Sequence, residues 1–311
     1  MSEAEHFATV MVDAFIAAVD AGLDLVPVVS DSTSTAKISP FVKRFPERLV
    51  NVGIAEQSLV GVAAGLALGG KVAATCNAAP FLISRANEQI KVDVCYNHAN
   101  VKMFGLNAGA SYGPLASTHH SIDDISVMRG FGNVQIFAPA DPLECRQIAD
   151  YALRYDGPVY IRLDGKPLPP LHAKDYRFVP GHVDVLRQGA DLTLVALGSV
   201  AHEAVAAAEL LAAQGIEAQV LNLSSIRPLD REALLEALSG KGGVVTVEEH
   251  NINGGAGSVV AEVMAEAGLG IALIRLGIND GEYAAAGGRE STRALHGIDA
   301  AGIAAAAMRL R

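Results

Sequence analysis

With 311 residues the chain exceeds one typical core and suits two domains. Half of it is hydrophobic, only 5% is aromatic and Trp is absent, so its cores are built from Ala, Val, Leu and Gly. A net charge of -10 argues against nucleic acid or an anionic membrane as partner.

Three cysteines, Cys76, Cys95 and Cys145, lack metal-ligand spacing and predict a reducing compartment. The opening Met-Ser-Glu-Ala-Glu-His has neither the positive stretch nor the apolar core of a signal peptide. No apolar run of about 18 residues is free of charges and turn signals, so no membrane span is expected. A cytoplasmic protein is the expectation.

In chain order, short β-branched runs alternate with helical patterns. The pattern predicts a helix at 5–20, strands at 25–29 and 49–52, a helix at 55–68 and a strand at 71–75. A helix at 82–96, a strand at 101–106, a helix at 122–130 and a strand at 134–138 follow. The first array closes with a helix at 142–154 and a strand at 158–162.

Residues 163–183 break this rhythm with Pro167, Pro169, Pro170 and Pro180, and read as a connection between domains. A second array has strands at 192–196, 218–222, 243–247 and 271–275. Its helices fall at 200–214, 230–238 and 256–267, with a last one at 298–310. The fold class is α/β: two domains, 1–170 and 184–311, joined by 171–183, each a mostly parallel sheet flanked by helices.

In such sheets ligands meet the loops at the carboxyl ends of the strands. Four of these loops carry polar residues. Residues 30–35, Ser-Asp-Ser-Thr-Ser-Thr, read equally as a plain turn or cap cluster. Glu56 opens a helix that is apolar nearly all round, so its carboxylate is expected to be partly buried, where an unpaired charge is costly. Its plain alternative is an acid complementing the helix dipole.

The third loop, Cys-Asn-Ala-Ala-Pro-Phe at 76–81, leads into a helix carrying Arg85. Phe81 taken alone reads as core as readily as platform. The fourth, 107–120, runs from Asn107 to His119 and His120, long enough to be functional. Adjacent histidines diverge in an extended chain and no third ligand has suitable spacing, so no metal site is expected there. The Asn-Gly-Gly-Ala-Gly-Ser string at 253–258 loosely resembles a phosphate-cradling turn but lacks the Gly-x-Gly-x-x-Gly order.

Several strings together resemble the transketolase family, in its pyrimidine-binding and C-terminal domains. They are Val-Gly-Ile-Ala-Glu-Gln at 52–57, Gly113 through Thr118-His119-His120, Asp123-Asp124-Ile125 and Ala-Pro-Ala-Asp at 138–141. Gly-Pro-Val-Tyr-Ile-Arg at 157–162, Ile-Arg-Pro-Leu-Asp at 226–230, Glu-Glu-His at 248–250 and Gly-Gly-Ala-Gly at 254–257 complete the series. They occur in the family's order and cover nearly the whole chain.

The resemblance implies thiamine diphosphate as cofactor and two-carbon ketol transfer from a ketose phosphate to an aldose. Glu56 then holds N1′ of the aminopyrimidine and favours the imino form that activates the thiazolium. Phe81 looks like the ring that stacks on the pyrimidine, with Ile54 and Gln57 beside it. His119 resembles the histidine that contacts substrate hydroxyls and moves protons. His120 and Asn107 fall in the same substrate loop, Arg162 matches a phosphate-binding residue, and Arg85 is a further substrate-side candidate.

The Gly-Asp-Gly motif with which the family binds the diphosphate through Mg²⁺ does not occur in the sequence. A diphosphate needs a cation and fixed donors. The expectation is one subunit of a split transketolase, completed by an N-terminal subunit that carries Gly-Asp-Gly and binds Mg²⁺, as a heterotetramer or dimer of heterodimers. Leu115 stands where the family has an acid, Asn107 where it has a histidine, and the first helix lacks an arginine for phosphate. An unusual or branched ketose phosphate fits these departures.

Alternatives of the same cofactor class are the β subunit of a 2-oxo-acid dehydrogenase and a deoxyxylulose-phosphate-synthase-like enzyme. From another class comes a non-catalytic assembly or regulatory subunit.

Overall fold

The computed structural model describes residues 4–310. The first array is α1 (Phe7–Asp20), β1 (Leu25–Val29), α2 (Ser39–Arg44), β2 (Val50–Asn51), α3 (Glu56–Leu68) and β3 (Val72–Ala78). Then come α4 (Ala79–Arg85), α5 (Asn87–Gln89) running into a π-helical turn Ile90–Tyr96, β4 (Val101–Leu106), and a 3₁₀ segment Gly113–Thr118. The array ends with α6 (Asp124–Arg129), β5 (Gln135–Phe137), α7 (Pro142–Arg154) and β6 (Val159–Arg162).

The second array is β7 (Asp184–Arg187), β8 (Leu192–Ala196), α8 (Ala201–Ala212), β9 (Ala218–Asn222), β10 (Ser225–Arg227) and α9 (Arg231–Leu238). It closes with β11 (Val244–Asn251), α10 (Ala256–Glu266), β12 (Leu273–Ile278), α11 (Arg289–Leu295) and α12 (Ala300–Met308).

Two sheets result, one seven-stranded in the order β10-β5-β6-β4-β3-β1-β2 and one five-stranded in the order β12-β11-β8-β9-β7. All pairings are parallel except β10 with β5 and β7 with β9. The inner strands β1, β4, β6, β8 and β9 are buried along their whole length. Helices cover both faces, which is why these strands read as continuous apolar runs rather than as alternations. One apolar cluster runs from Val28, Leu59 and Val60 of the first half to Leu221, Leu223 and Val260 of the second. The two halves therefore share a core.

Several elements differ from the sequence pattern. The helix expected at 82–96 is three pieces, because Pro80 starts α4 earlier and Ala86 leaves helical geometry at φ -102°, ψ 23°. The apolar stripe continues across that one residue, so periodicity does not register the break. The helix expected at 298–310 begins only after Gly297, at φ +65°, with Asp299 accepting from the Gly302 amide. The preceding α11 is too polar to show a stripe. Strand β3 runs on through Asn77 and Ala78, past its expected end at residue 75. Short β7 and β10 were not expected, since three or four residues carry no alternation.

Among the described residues no helix is long and apolar enough to cross a membrane. The three thiols are free and buried. Burial pushes Cys95 up to about 12, so it is protonated and inert at neutral pH.

Candidate active-site cleft around Glu56

The carboxyl ends of β1, β2 and β3 lie side by side, and the cleft starts there. Asn51, last residue of β2, accepts the amides of Asp31 and Gly53 at 3.0 Å each, tying the turn into α3 to the loop after β1. Gly53 itself has φ +73°, a conformation costly for other residues. Ala55 then delivers Glu56 at the first position of α3.

Glu56 is only 5% exposed. Its Oε1 accepts from the Ser30 hydroxyl at 3.3 Å and from Asn77 Nδ2 at 3.2 Å, and its Oε2 accepts from Arg85 Nη1 at 3.0 Å. Burial alone would raise its pKa. The hydrogen bonds from Arg85, its own backbone amide and Asn77 outweigh that and hold it below the ordinary glutamate value. Glu56 is thus an ionised carboxylate in a nearly closed setting. Ser30 and Asn77 were not expected as site residues; the polar strand-end loops at 30–35 and 76–81 were the available signals.

Phe81 presents one face to Arg85, whose Cζ lies 4.2 Å from the ring centroid. The His119 ring meets it at 5.1 Å, at an interplanar angle of 72°. Thr118 donates its hydroxyl proton to the Leu115 carbonyl at 3.0 Å, so its 2.9 Å contact with His119 Nδ1 is donated by the histidine. With Nδ1 engaged in that contact, Nε2 is the ring nitrogen left to meet a ligand. His120 points the other way, its Nε2–H donating to the Gly113 carbonyl at 3.0 Å, and burial lowers its pKa so that it stays neutral. The two histidines diverge, as adjacent residues should. The loop is held bent by Ala116 at φ +58°.

Two cavities open here. One of about 390 Å³ is lined by Ile54, Ala55, Glu56, Gln57 and Arg85. The other, about 250 Å³, lies among Phe81, Ser84, Arg85, Thr118, His120 and Asp123, with Tyr283 reaching over from the second half. Arg85 lines both. Structure thus gathers Ile54, Glu56, Gln57, Phe81, Arg85, His119 and His120 into one region.

Two expected substrate residues lie elsewhere. Arg162 is 7% exposed, and its guanidinium donates to Asp124 at 3.0 Å and to the Ser121 and Glu249 carbonyls at 3.2 and 2.8 Å. Enclosed and bonded in this way, it lines neither cavity. Asn107, at φ +54° just after β4, packs against Gly165 and lines neither cavity as well. The Gly-rich string at 253–258 is not a phosphate cradle either: the first amides of α10, on Ala256 and Gly257, donate to buried Glu248 at 2.7 and 2.9 Å. Away from the cleft, atoms of Glu144, His172 and Asp184 lie within 4.8 Å of one another, a grouping with no counterpart in the sequence pattern.

Known proteins share this architecture. The family model described as the transketolase pyrimidine-binding domain matches residues 6–169, and that of the transketolase C-terminal domain matches residues 181–303. The chain belongs to the transketolase family. One subunit of the apulose-4-phosphate transketolase of Actinobacillus succinogenes is 69% identical over 310 residues, covering 100% of both chains. The subunit of the same name from Phocaeicola vulgatus is 38% identical over 92% of this chain and 91% of its own. Among solved structures, a split-gene transketolase in the form of an inactive β4 tetramer superposes with a TM-score of 0.88 at 38% identity, covering 99% of this chain and 98% of that one. Membership of the family implies thiamine diphosphate chemistry, and the two apulose-4-phosphate transketolase relatives are named as subunits.

Proposed function

We propose that the chain is the pyrimidine-binding and C-terminal subunit of a split, thiamine-diphosphate-dependent transketolase. It moves a two-carbon ketol unit from a ketose phosphate to an aldose. The observation that carries this is Glu56, an ionised carboxylate only 5% exposed that lines a cavity. When bound, the cofactor supplies the carbanion chemistry that breaks and remakes a carbon–carbon bond.

These residues fit its aminopyrimidine. Glu56 would accept the N1′ hydrogen bond, and Ser30 and Asn77 fix the carboxylate so that it holds a proton at one place. Phe81 would stack on the ring, while Ile54 and Gln57 wall the cavity. His119 would exchange protons with substrate hydroxyls through Nε2, and neutral His120 would line the sugar pocket beside Arg85. Asn107 and Arg162 are left out of the substrate shell for the reasons above.

The substrate we favour is a branched ketose phosphate, apulose 4-phosphate, the sugar phosphate for which both relatives are named. A partner subunit carrying Gly-Asp-Gly and Mg²⁺ would hold the diphosphate, and the pair would assemble as a dimer of heterodimers in the cytoplasm. The apolar side chain of Ile54 stands open in the cleft at 77% exposure, which supports closure of the site by another subunit.

The chain mixed with its N-terminal partner, thiamine diphosphate and Mg²⁺ should convert apulose 4-phosphate in the presence of an aldose acceptor, and neither subunit alone should do so. Turnover by this chain alone would overturn the split-site reading. Turnover of linear but not branched ketose phosphates by the pair would overturn the substrate.

A further inference from the structure

Arg85 stands out in the cleft for where its guanidinium lies. It stacks on Phe81 at 4.2 Å and donates to Glu56 Oε2 at 3.0 Å. A flat cation stacked on that ring and bonded edge-on to that carboxylate makes the two contacts expected of a bound aminopyrimidine. The neighbouring contacts are already taken: Glu56 Oε1 by Ser30 and Asn77, and the Phe81 ring also by His119, edge to face at 5.1 Å. One flat group fits there at a time.

We propose that Arg85 holds the place of the aminopyrimidine in the free chain, so that thiamine diphosphate loads only as the guanidinium leaves Glu56 and Phe81. The inference rests on the roles proposed for Glu56 and Phe81.

The side chain is built to leave. It is 51% exposed, against 5% for the carboxylate it holds. It is the last residue of α4, and Ala86 beyond it has already left helical geometry. The second cavity, which Arg85 also lines, offers Ser84, Thr118 and Asp123 as polar company after the move. While in place, the guanidinium neutralises Glu56 and covers an aromatic face that would otherwise meet water. Both contacts are made by a half-exposed cation, each worth a factor of several in an equilibrium constant, so the place-holder weakens cofactor binding by about tenfold.

The test uses the chain reconstituted with its N-terminal partner, titrated with thiamine diphosphate and Mg²⁺ by calorimetry and stopped-flow fluorescence. Arg85→Met and Arg85→Ala should bind about tenfold tighter and load faster than wild type, with unchanged melting curves. Millimolar methylguanidinium should slow loading of Arg85→Ala by refilling the vacated place, and leave wild type unaffected. Equal or weaker affinity in both variants, or no competition by methylguanidinium, overturns the proposal. Glu56→Gln separates this from a failure of the underlying reading. If it weakens binding while the Arg85 variants do not tighten it, only the place-holder is lost; if it leaves binding untouched, both are.

Discussion

Two arginines in this chain pair with two carboxylates at the same 3.0 Å: Arg162 with Asp124 and Arg85 with Glu56. At the junction of the two halves, Arg162 and Asp124 are 7% and 0% exposed, and Tyr160 adds its hydroxyl to Asp124 at 2.6 Å. Both charges are enclosed there, and Nη2 of Arg162 also meets the Ser121 and Glu249 carbonyls. In the cleft, only the carboxylate is buried and the cation is half in water. The enclosed pair, both members of which belong to the first half, holds Arg162 where its Nη2 reaches the Glu249 carbonyl of the second half, whereas the half-open pair leaves a carboxylate available to a ligand. Surroundings, not distance, decide which.

Four measurements probe this contrast. The largest effect is expected for Glu56→Gln in the reconstituted enzyme: a loss of about 10²–10⁴ in kcat, with melting temperature and assembly unchanged. Near-normal turnover would remove Glu56 from the chemistry. Next comes Asp124→Ala, which strands the buried Arg162 guanidinium and should cost about 3–5 kcal/mol in urea unfolding. A cost under about 1 kcal/mol would show that the junction does not depend on the pair.

Asp141, which ties α7 to the connection at Leu171 and His172, offers a pH test of another enclosed carboxylate. Burial would raise its pKa, but His172, with the amides of Glu144, His172 and Leu171, brings it down to about 2 from 3.8. A depressed carboxylate contributes stability that is complete above its unfolded pKa and fades as pH falls through the folded one. That stability should therefore be full above pH 3.8 and disappear towards pH 2, amounting to roughly 2 kcal/mol. Asp141→Asn should flatten this acid limb of the stability curve, and an unchanged limb would refute the assignment. Smallest of all, Arg85→Ala should move unfolding free energy by less than about 1 kcal/mol, because half of that side chain is in water.

Legibility in the sequence followed the range of the interactions. Glu56, Phe81 and His119 sit in local patterns, strand to helix or turn to helix, and those patterns are visible in a dozen residues. The fate of Arg162 was not, because its partners lie 38 to 87 residues away and only the folded junction brings them together. The glycine string at 253–258 lacks the order of a nucleotide site in the sequence, and in the fold its amides are taken by Glu248 from the preceding strand. Inner strands were placed well because burial on both faces makes them continuous apolar runs. Edge strands of three or four residues give no such signal.

Strand β10 gives the seven-stranded sheet its last member, Ser225–Arg227, from the second half of the chain, paired antiparallel with β5. During synthesis, then, the first sheet cannot be completed until residue 227 has left the ribosome, by which time β8 and β9 are already outside. A protease cut in the 163–183 connection would not release two independent domains, since one half would keep a strand of the other. The protein is two domains in architecture and closer to one in inheritance: its gene cannot be divided at the connection without leaving the first sheet one strand short.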